Sequence, residues 1–154
     1  MTNIPELDAL VGTELGVSSW LHITQEMVNV FAKNTRDEQW IHVDVDRARQ
    51  QMPDTGTIVH GYYTLSLLAP LMKEAAKLPD SVNKRIRSII NYGIDKLRFT
   101  GKVPVGSRIR ARVSLANAVS TPKGVQLTYA VTVETEGQDR PALVSENLVL
   151  YVLG

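Results

Sequence analysis

The stretch His60-Gly61-Tyr62-Tyr63-Thr64-Leu65-Ser66-Leu67-Leu68-Ala69-Pro70-Leu71-Met72-Lys73 narrows the choice of fold more than any other part of this chain. It is apolar nearly all round until Lys73, and Glu74-Ala75-Ala76-Lys77 continues it in good helix formers. A helix with no polar face must be surrounded by protein. At 1.5 Å per residue, Gly61 to Lys77 would span roughly 25 Å. Pro70 lacks an amide hydrogen and crowds the carbonyl of Ser66, so a bend or a loosened turn is expected there.

The material to surround that helix lies after it. Ser107 to Leu115 alternates strictly, with Ile109, Ala111, Val113 and Leu115 on one face. Val125, Leu127, Tyr129, Val131 and Val133 repeat the pattern, and Thr121-Pro122-Lys123-Gly124 between them reads as a hairpin turn. Leu143 to Val152 is apolar on both faces, which suits a central strand or an interface strand. Ile86 to Phe99 is a strand whose phase slips: Ile90, Tyr92 and Ile94 share one face, Leu97 and Phe99 the other. A bulge near Gly93 reconciles them.

The first half is mainly helical. Pro5 to Val11 reads as a short helix and Leu15 to Ile23 as a strand. Thr24 caps a helix from Gln25 to Asn34, with Glu26 in its first turn and Met27, Val28, Phe31 and Ala32 on one face. Asp44 opens another helix, Val45 to Gln51. One long buried helix and a twisted antiparallel sheet of about five strands make an α+β fold in which the sheet wraps the helix. That is the hot-dog arrangement. A single such layer leaves apolar helix and sheet surface open, so a homodimer is expected. Pro and Gly mark turns and no linker, and 154 residues suit one domain, 1–154.

Composition removes whole classes of function. Lys and Arg number 17 against 16 Asp and Glu, a formal charge of +1. That balance gives no global attraction to nucleic acid or to an acidic membrane surface. With no cysteine, disulfides, zinc-thiolate sites, iron–sulfur clusters and thiol nucleophiles are excluded. Met1 to Glu6 has neither a basic nor an apolar secretory region, and no apolar run approaches the roughly 20 residues needed to cross a bilayer. A cytoplasmic protein with no membrane partner is expected.

Two constellations carry chemistry. The first is Thr35-Arg36-Asp37-Glu38-Gln39-Trp40-Ile41-His42, in a loop or tight turn between two helices. If the chain turns back there, Asp37 and His42 can hold one water and pass protons in both directions. The bland alternative is that Asp37 caps a turn and His42 is a surface or helix-entry residue. The second is Gly56-Thr57-Ile58-Val59-His60-Gly61-Tyr62. Free amides at the helix start can bind a carbonyl oxygen that becomes negative during reaction; otherwise Gly61 serves tight packing or an unusual backbone angle. His60 suits a structural hydrogen bond better than a base. His42, His60 and Asp44 lack a recognised metal-ligand spacing, and no metal is expected.

These residues resemble a family. Phe31-Ala32-x-x-Thr35-x-Asp37-x-Gln39-x-Ile41-His42-x-Asp44, followed by Ile58-Val59-His60-Gly61-x-x-Thr64-Leu65-Ser66, is similar to the MaoC-like (R)-specific enoyl-CoA hydratases, and closer still to their nodulation protein N-like subgroup. Asn91-Tyr92-Gly93-x-Asp95-Lys96-x-Arg98-Phe99 and Val103-Pro104-Val105-Gly106-Ser107-x-Ile109-x-Ala111 extend the likeness from about Leu7 to Tyr151. Many relatives carry Asn-Pro between the Asp and the His, where this chain has Glu38-Gln39-Trp40-Ile41. The resemblance implies a hot-dog homodimer that adds water to a trans-2-enoyl-CoA. Asp37 and His42 match its catalytic dyad, and Gly61 matches the glycine whose amide receives the thioester oxygen. Coenzyme A then enters as part of the substrate, with no separate cofactor.

His60, Tyr62, Ser66, Asn91 and Tyr92 are candidate substrate-binding residues. Sheet packing accounts equally well for Asn91 and Tyr92, and core packing for Ser66, Tyr62 and Tyr63. Lys84, Arg85, Arg87, Arg108, Arg110 and Arg112 can offer charge to coenzyme A phosphates, although the last three also fit a solvated strand face. Two other readings use the same residues: a hot-dog thioesterase, and a non-catalytic module that binds acyl-CoA or an acyl-carrier protein. Binding alone needs neither Asp37 nor His42.

Overall fold

The strands form around the alternation seen in the sequence. In the computed structural model, which describes residues 2–154, β4 (Arg108–Thr121) and β5 (Gly124–Thr135) pair across the two-residue turn Pro122-Lys123. Gly124 leaves that turn at φ 150°, where a Cβ would overlap the carbonyl of Tyr151. Ile109, Ala111, Val113, Leu115, Leu127, Tyr129 and Val133 are fully buried on one face. Each buried Val or Leu of this kind contributes about 1.5–3 kcal/mol. On the opposite face Arg108 pairs with Glu136, Arg110 with Glu134, and Arg112 with Glu134 and Glu14. Met1, where the reading of the N-terminus began, lies outside the described residues.

β6 (Leu143–Leu153) runs antiparallel to β5, and β3 (Ile86–Phe99) antiparallel to β6. With β1 (Glu14–Val17) and β2 (Leu21–His22) both on β4, the order is β1-β4-β5-β6-β3. The expected single strand from Leu15 to Ile23 is thus two short ones, because the chain leaves β4 between them and rejoins it at Leu21. The slip in β3 falls between Asn91 and Gly93, as expected, with further shifts at Ile86/Ser88 and Asp95/Arg98. β6 is a central strand, but its inward face is not apolar throughout. Ser145 and Asn147 are buried there, bonded to each other at 2.7 Å, and Tyr151 shares a 2.7 Å hydroxyl bond with Tyr129.

Short helices make up most of the first half: α1 (Pro5–Asp8), α2 (Gln25–Thr35), α3 (Trp40–Val43) and α4 (Val45–Gln51). Thr24 caps α2 and Asp44 caps α4, both as expected. The central helix is two helices, α5 (Gly61–Ser66) and α6 (Leu68–Ala75), and the interruption at Leu67 falls in the turn between Ser66 and Pro70 where a loosened turn is expected. Pro70 has no N–H to give the Ser66 carbonyl, while Leu67 N–H still reaches Tyr63 and Leu71 N–H reaches Leu67. The helical residues end at Ala75, short of Lys77. α7 (Asp80–Asn83) then leads into β3.

Thr64, Leu68, Leu71 and Ala75 form the buried stripe of α5 and α6, which pack on β6 and β4 respectively. The arrangement is a hot dog, with helices laid across a six-stranded antiparallel sheet. Only that stripe is enclosed within one chain; Tyr62, Ser66, Ala69 and Pro70 face outward. The open apolar surface lies on edge strand β3, at Ile89, Ile90, Tyr92, Ile94 and Phe99, and not on β6. No helix among the described residues is long and apolar enough to cross a membrane.

Candidate active site

α2 ends at Arg36, which adopts a left-handed φ of 62° and turns the chain out of the helix. Asp37, Glu38 and Gln39 follow as an exposed irregular loop. The single turn of α3 then carries His42 inward, leaving it 7% exposed. His42 is therefore buried rather than on the surface, although it does lie in a one-turn helix, whose N-cap is Gln39 and not Asp37.

Residues 57–60 run alongside this loop and lace into it. Ile58 N–H donates to the Ile41 carbonyl at 2.9 Å, and His42 Nδ1–H returns a 2.7 Å bond to the Ile58 carbonyl. A carbonyl only accepts, so Nδ1 carries the proton and the lone pair of neutral His42 is on Nε2. His60 donates from Nε2 to the Asp37 main-chain carbonyl at 2.9 Å and stacks on His42, with ring centroids 3.8 Å apart. Behind them Gln25 donates to the His42 carbonyl at 2.7 Å and accepts from Thr57 Oγ1 at 2.6 Å.

Burial is the strongest influence on His42 and holds its pKa below the usual 6.5. The Ile58 bond opposes this, neighbouring His60 adds to it, and the Asp37 carboxylate opposes it again. The net effect favours a neutral imidazole, which can accept a proton.

Side-chain atoms of Asp37, His42 and His60 lie within 4.8 Å of one another. This group differs from the one weighed in the sequence, since Asp44 is occupied capping α4 through the Arg47 amide. A metal sits near the plane of each imidazole that binds it, about 2.0–2.1 Å from the nitrogen. Two stacked rings 3.8 Å apart and 23° from parallel offer no such common point. The arrangement suits proton transfer better than metal binding.

His42 and Gly61 line a cavity of about 670 Å³ together with Thr64, Phe99, Lys102 and Arg140. The first helical bonds of α5 are Tyr63 and Thr64 N–H to the His60 carbonyl, so the Gly61 amide precedes them and has no partner inside the helix. Gly61 is not left-handed; a Cβ there would sit 3.1 Å from the Phe99 ring. A larger residue there would press on the Phe99 ring.

Other candidates fall elsewhere. Ser66, Asn91 and Tyr92 line a second cavity of about 940 Å³, between α5–α6 and the sheet, beside Leu65, Met72 and Tyr129. Ser66 donates to the Tyr62 carbonyl of its own helix. Tyr62 is exposed and meets Phe99 edge-on. Helix α5 stands between the cavities, with Thr64 on one and Leu65 on the other. Arg108, Arg110 and Arg112 are committed to ion pairs, as a solvated strand face requires. Gln25, Lys102 and Arg140 are contributors without a sequence signal: a first-turn glutamine and two isolated cations look like ordinary surface.

A family model, the MaoC-like domain, matches residues 6–137. The chain belongs to the MaoC-like domain family. Among its relatives, 3-hydroxyacyl-thioester dehydratase Z of Mycobacterium tuberculosis is 45% identical over 151 residues, covering 97% of this chain and 96% of its own. Nodulation protein N of Rhizobium meliloti is 39% identical over 144 residues, covering 93% and 87%. The hot-dog fold recurs in the unliganded R-hydratase of Pseudomonas aeruginosa, with TM-score 0.71, 19% identity and coverage of 94% and 83%. It recurs also in an (R)-hydratase of A. caviae, with TM-score 0.69, 22% identity and coverage of 91% and 98%.

Proposed function

We propose that this MaoC-like protein is an (R)-specific hydro-lyase that adds water to trans-2-enoyl-CoA and, in reverse, dehydrates the 3-hydroxyacyl thioester. The observation that carries this reading is the juxtaposition of the Asp37 carboxylate with the His42 imidazole, beside the cavity that Gly61 also lines. The name of the 45%-identical relative, a 3-hydroxyacyl-thioester dehydratase, supports it.

Asp37 and His42 hold one water against C3 of the substrate. The pair removes a proton as the water oxygen bonds to C3. The electrons of the C2–C3 double bond move to the thioester oxygen, where Gly61 N–H meets the developing charge. The pair then returns a proton to C2 as the carbonyl re-forms, so the enzyme ends as it began. His42, neutral with a free Nε2, is equipped to accept and return that proton. No cofactor is required beyond the coenzyme A of the substrate.

The thioester and the coenzyme A phosphates are assigned to the cavity lined by His42, Gly61, Lys102 and Arg140. The exposed apolar edge of β3 supports a homodimer. An unpaired strand edge with this composition is a template for a second strand, and a second copy of β3 satisfies it.

The test is a panel of trans-2-enoyl-CoA thioesters of increasing chain length, followed by loss of enoyl absorbance, with chiral analysis of the product. The reading expects the (R)-3-hydroxyacyl-CoA. Release of free thiol indicates a thioesterase instead, and tight binding without turnover across the panel indicates a binding module.

A further inference from the structure

We propose that His60 is a positioning residue that clamps Asp37 in place through the main chain; this rests on the hydratase reading above. Asp37 occupies an exposed loop with no regular structure, entered through a left-handed arginine. Such loops move on nanosecond to microsecond timescales. A catalytic carboxylate must instead be held within roughly 0.5 Å of its working position. Among the described residues, the bond from His60 Nε2 to the Asp37 carbonyl is the hydrogen bond that ties this residue to the body of the protein.

His60 is built to hold still. It is 2% exposed and wedged between two rings, with His42 stacked at 3.8 Å and Phe31 tilted at 5.0 Å. Phe31 in turn stacks on Tyr63 at 4.7 Å, so the clamp is anchored to both α2 and α5. The tautomer follows from the partners. The Asp37 carbonyl requires a proton on Nε2, whereas Nδ1 is buried with no hydrogen-bond partner among the described residues. A proton on Nδ1 would be an unpaired buried donor, so the neutral Nε2–H form is the one that fits. Packing alone does not explain this choice, because an apolar ring would fill the space and leave no unpaired nitrogen. The bond spans 23 residues, from the start of α5 to the loop after α2. Its effect is to set Asp37 against the ring on which His60 itself rests.

His60→Phe keeps a flat ring for the stack and removes the donor. His60→Gln removes the ring and restores an N–H at the position of Nε2. His60→Phe is expected to lower kcat about tenfold or more for a short trans-2-enoyl-CoA, with KM changed less than about threefold. His60→Gln should recover most of that loss. In an Asp37→Asn background His60→Phe should add little, because residues acting as a unit are not additive. Nitrogen-15 spectra of the wild-type imidazoles test the clamp without any substrate, and should show His60 as the Nε2–H tautomer at neutral pH. Equal kcat in wild type and a folded His60→Phe, a full independent loss in the Asp37→Asn background, or an Nδ1–H tautomer overturns the clamp. Absence of hydration by the wild type together with an Nε2–H His60 overturns the hydratase reading and leaves the hydrogen bond standing.

Discussion

Replacing Gly61 by alanine asks the start of α5 to accept one carbon whose position the backbone dictates. That carbon would lie 3.1 Å from three atoms of the Phe99 ring, inside the roughly 3.5–4.0 Å of ordinary carbon contact. A displacement of roughly 0.5 Å is therefore required. Phe99 is 47% exposed and touches Tyr62 only edge-on, with centroids 6.1 Å apart. The Phe99 ring can take up part of that displacement and the start of α5 the rest, so destabilisation should sit at the low end of overpacking, about 1 kcal/mol. For a chain of this size that is about 2–4 °C in Tm. Since Gly61 is not left-handed, no backbone strain is added. Turnover should suffer more than stability. Oxyanion donors act at about 2.7–3.1 Å, and losing one costs about 100- to 1,000-fold in kcat. A donor shifted rather than lost should cost about tenfold or more on the same scale. Adding Phe99→Ala removes the obstruction and should return much of the loss. The assay is enoyl-CoA hydration beside thermal melting of both variants. Unchanged turnover in Gly61→Ala refutes the role given to its amide, and a fall in Tm above about 10 °C refutes the packing argument.

Three further outcomes follow from the same geometry. Burial favours neutral His42 in the folded state, so the unfolded chain binds more protons between pH 6.5 and the lower folded value; stability should fall as pH drops through that window and be insensitive to this group above it. His42→Asn, which keeps a donor toward the Ile58 carbonyl, should flatten that limb in pH-dependent unfolding, and an identical limb in both proteins contradicts the assignment. Gln25→Ala removes side-chain bonds to His42 and Thr57, and should lower stability by about 1–3 kcal/mol in urea titrations; no change means the network is dispensable. Wild type should sediment as a dimer at micromolar concentration and an Ile90→Lys, Ile94→Lys double variant of the β3 edge as a monomer, whereas a wild-type monomer rules the dimer out.

The sheet was legible in the sequence because its faces differ so sharply. Ile109 to Leu115 and Val125 to Val133 alternate without a break, and the Pro122-Lys123 turn admits few readings. The phase slip at Gly93 was visible for the same reason, as a mismatch between Tyr92 and Leu97. The loosened turn between Ser66 and Pro70 was legible too, from the amide hydrogen that proline lacks. β6 reads as apolar on both faces in the sequence, whereas Ser145 and Asn147 are buried on its inward face and satisfied by a bond to each other. At the site, the spacing of Asp37 and His42 and the His60-Gly61 pair pointed to residues that the fold does bring together. What holds them was hidden, because it is the main-chain carbonyls of Asp37 and Ile58 that accept from the two histidines. A carbonyl has no sequence signature.

The most direct measurement is the turnover of Asp37→Asn on a short trans-2-enoyl-CoA. The substitution keeps the size of the side chain and removes its charge and its capacity to accept a proton. If Asp37 and His42 hold the same water, kcat should fall by roughly 100-fold or more. His42→Ala should show a similar loss, and the double variant little more than the worse single one. Thermal unfolding should show all three folded. A folded Asp37→Asn protein with near-wild-type turnover contradicts the proposed mechanism.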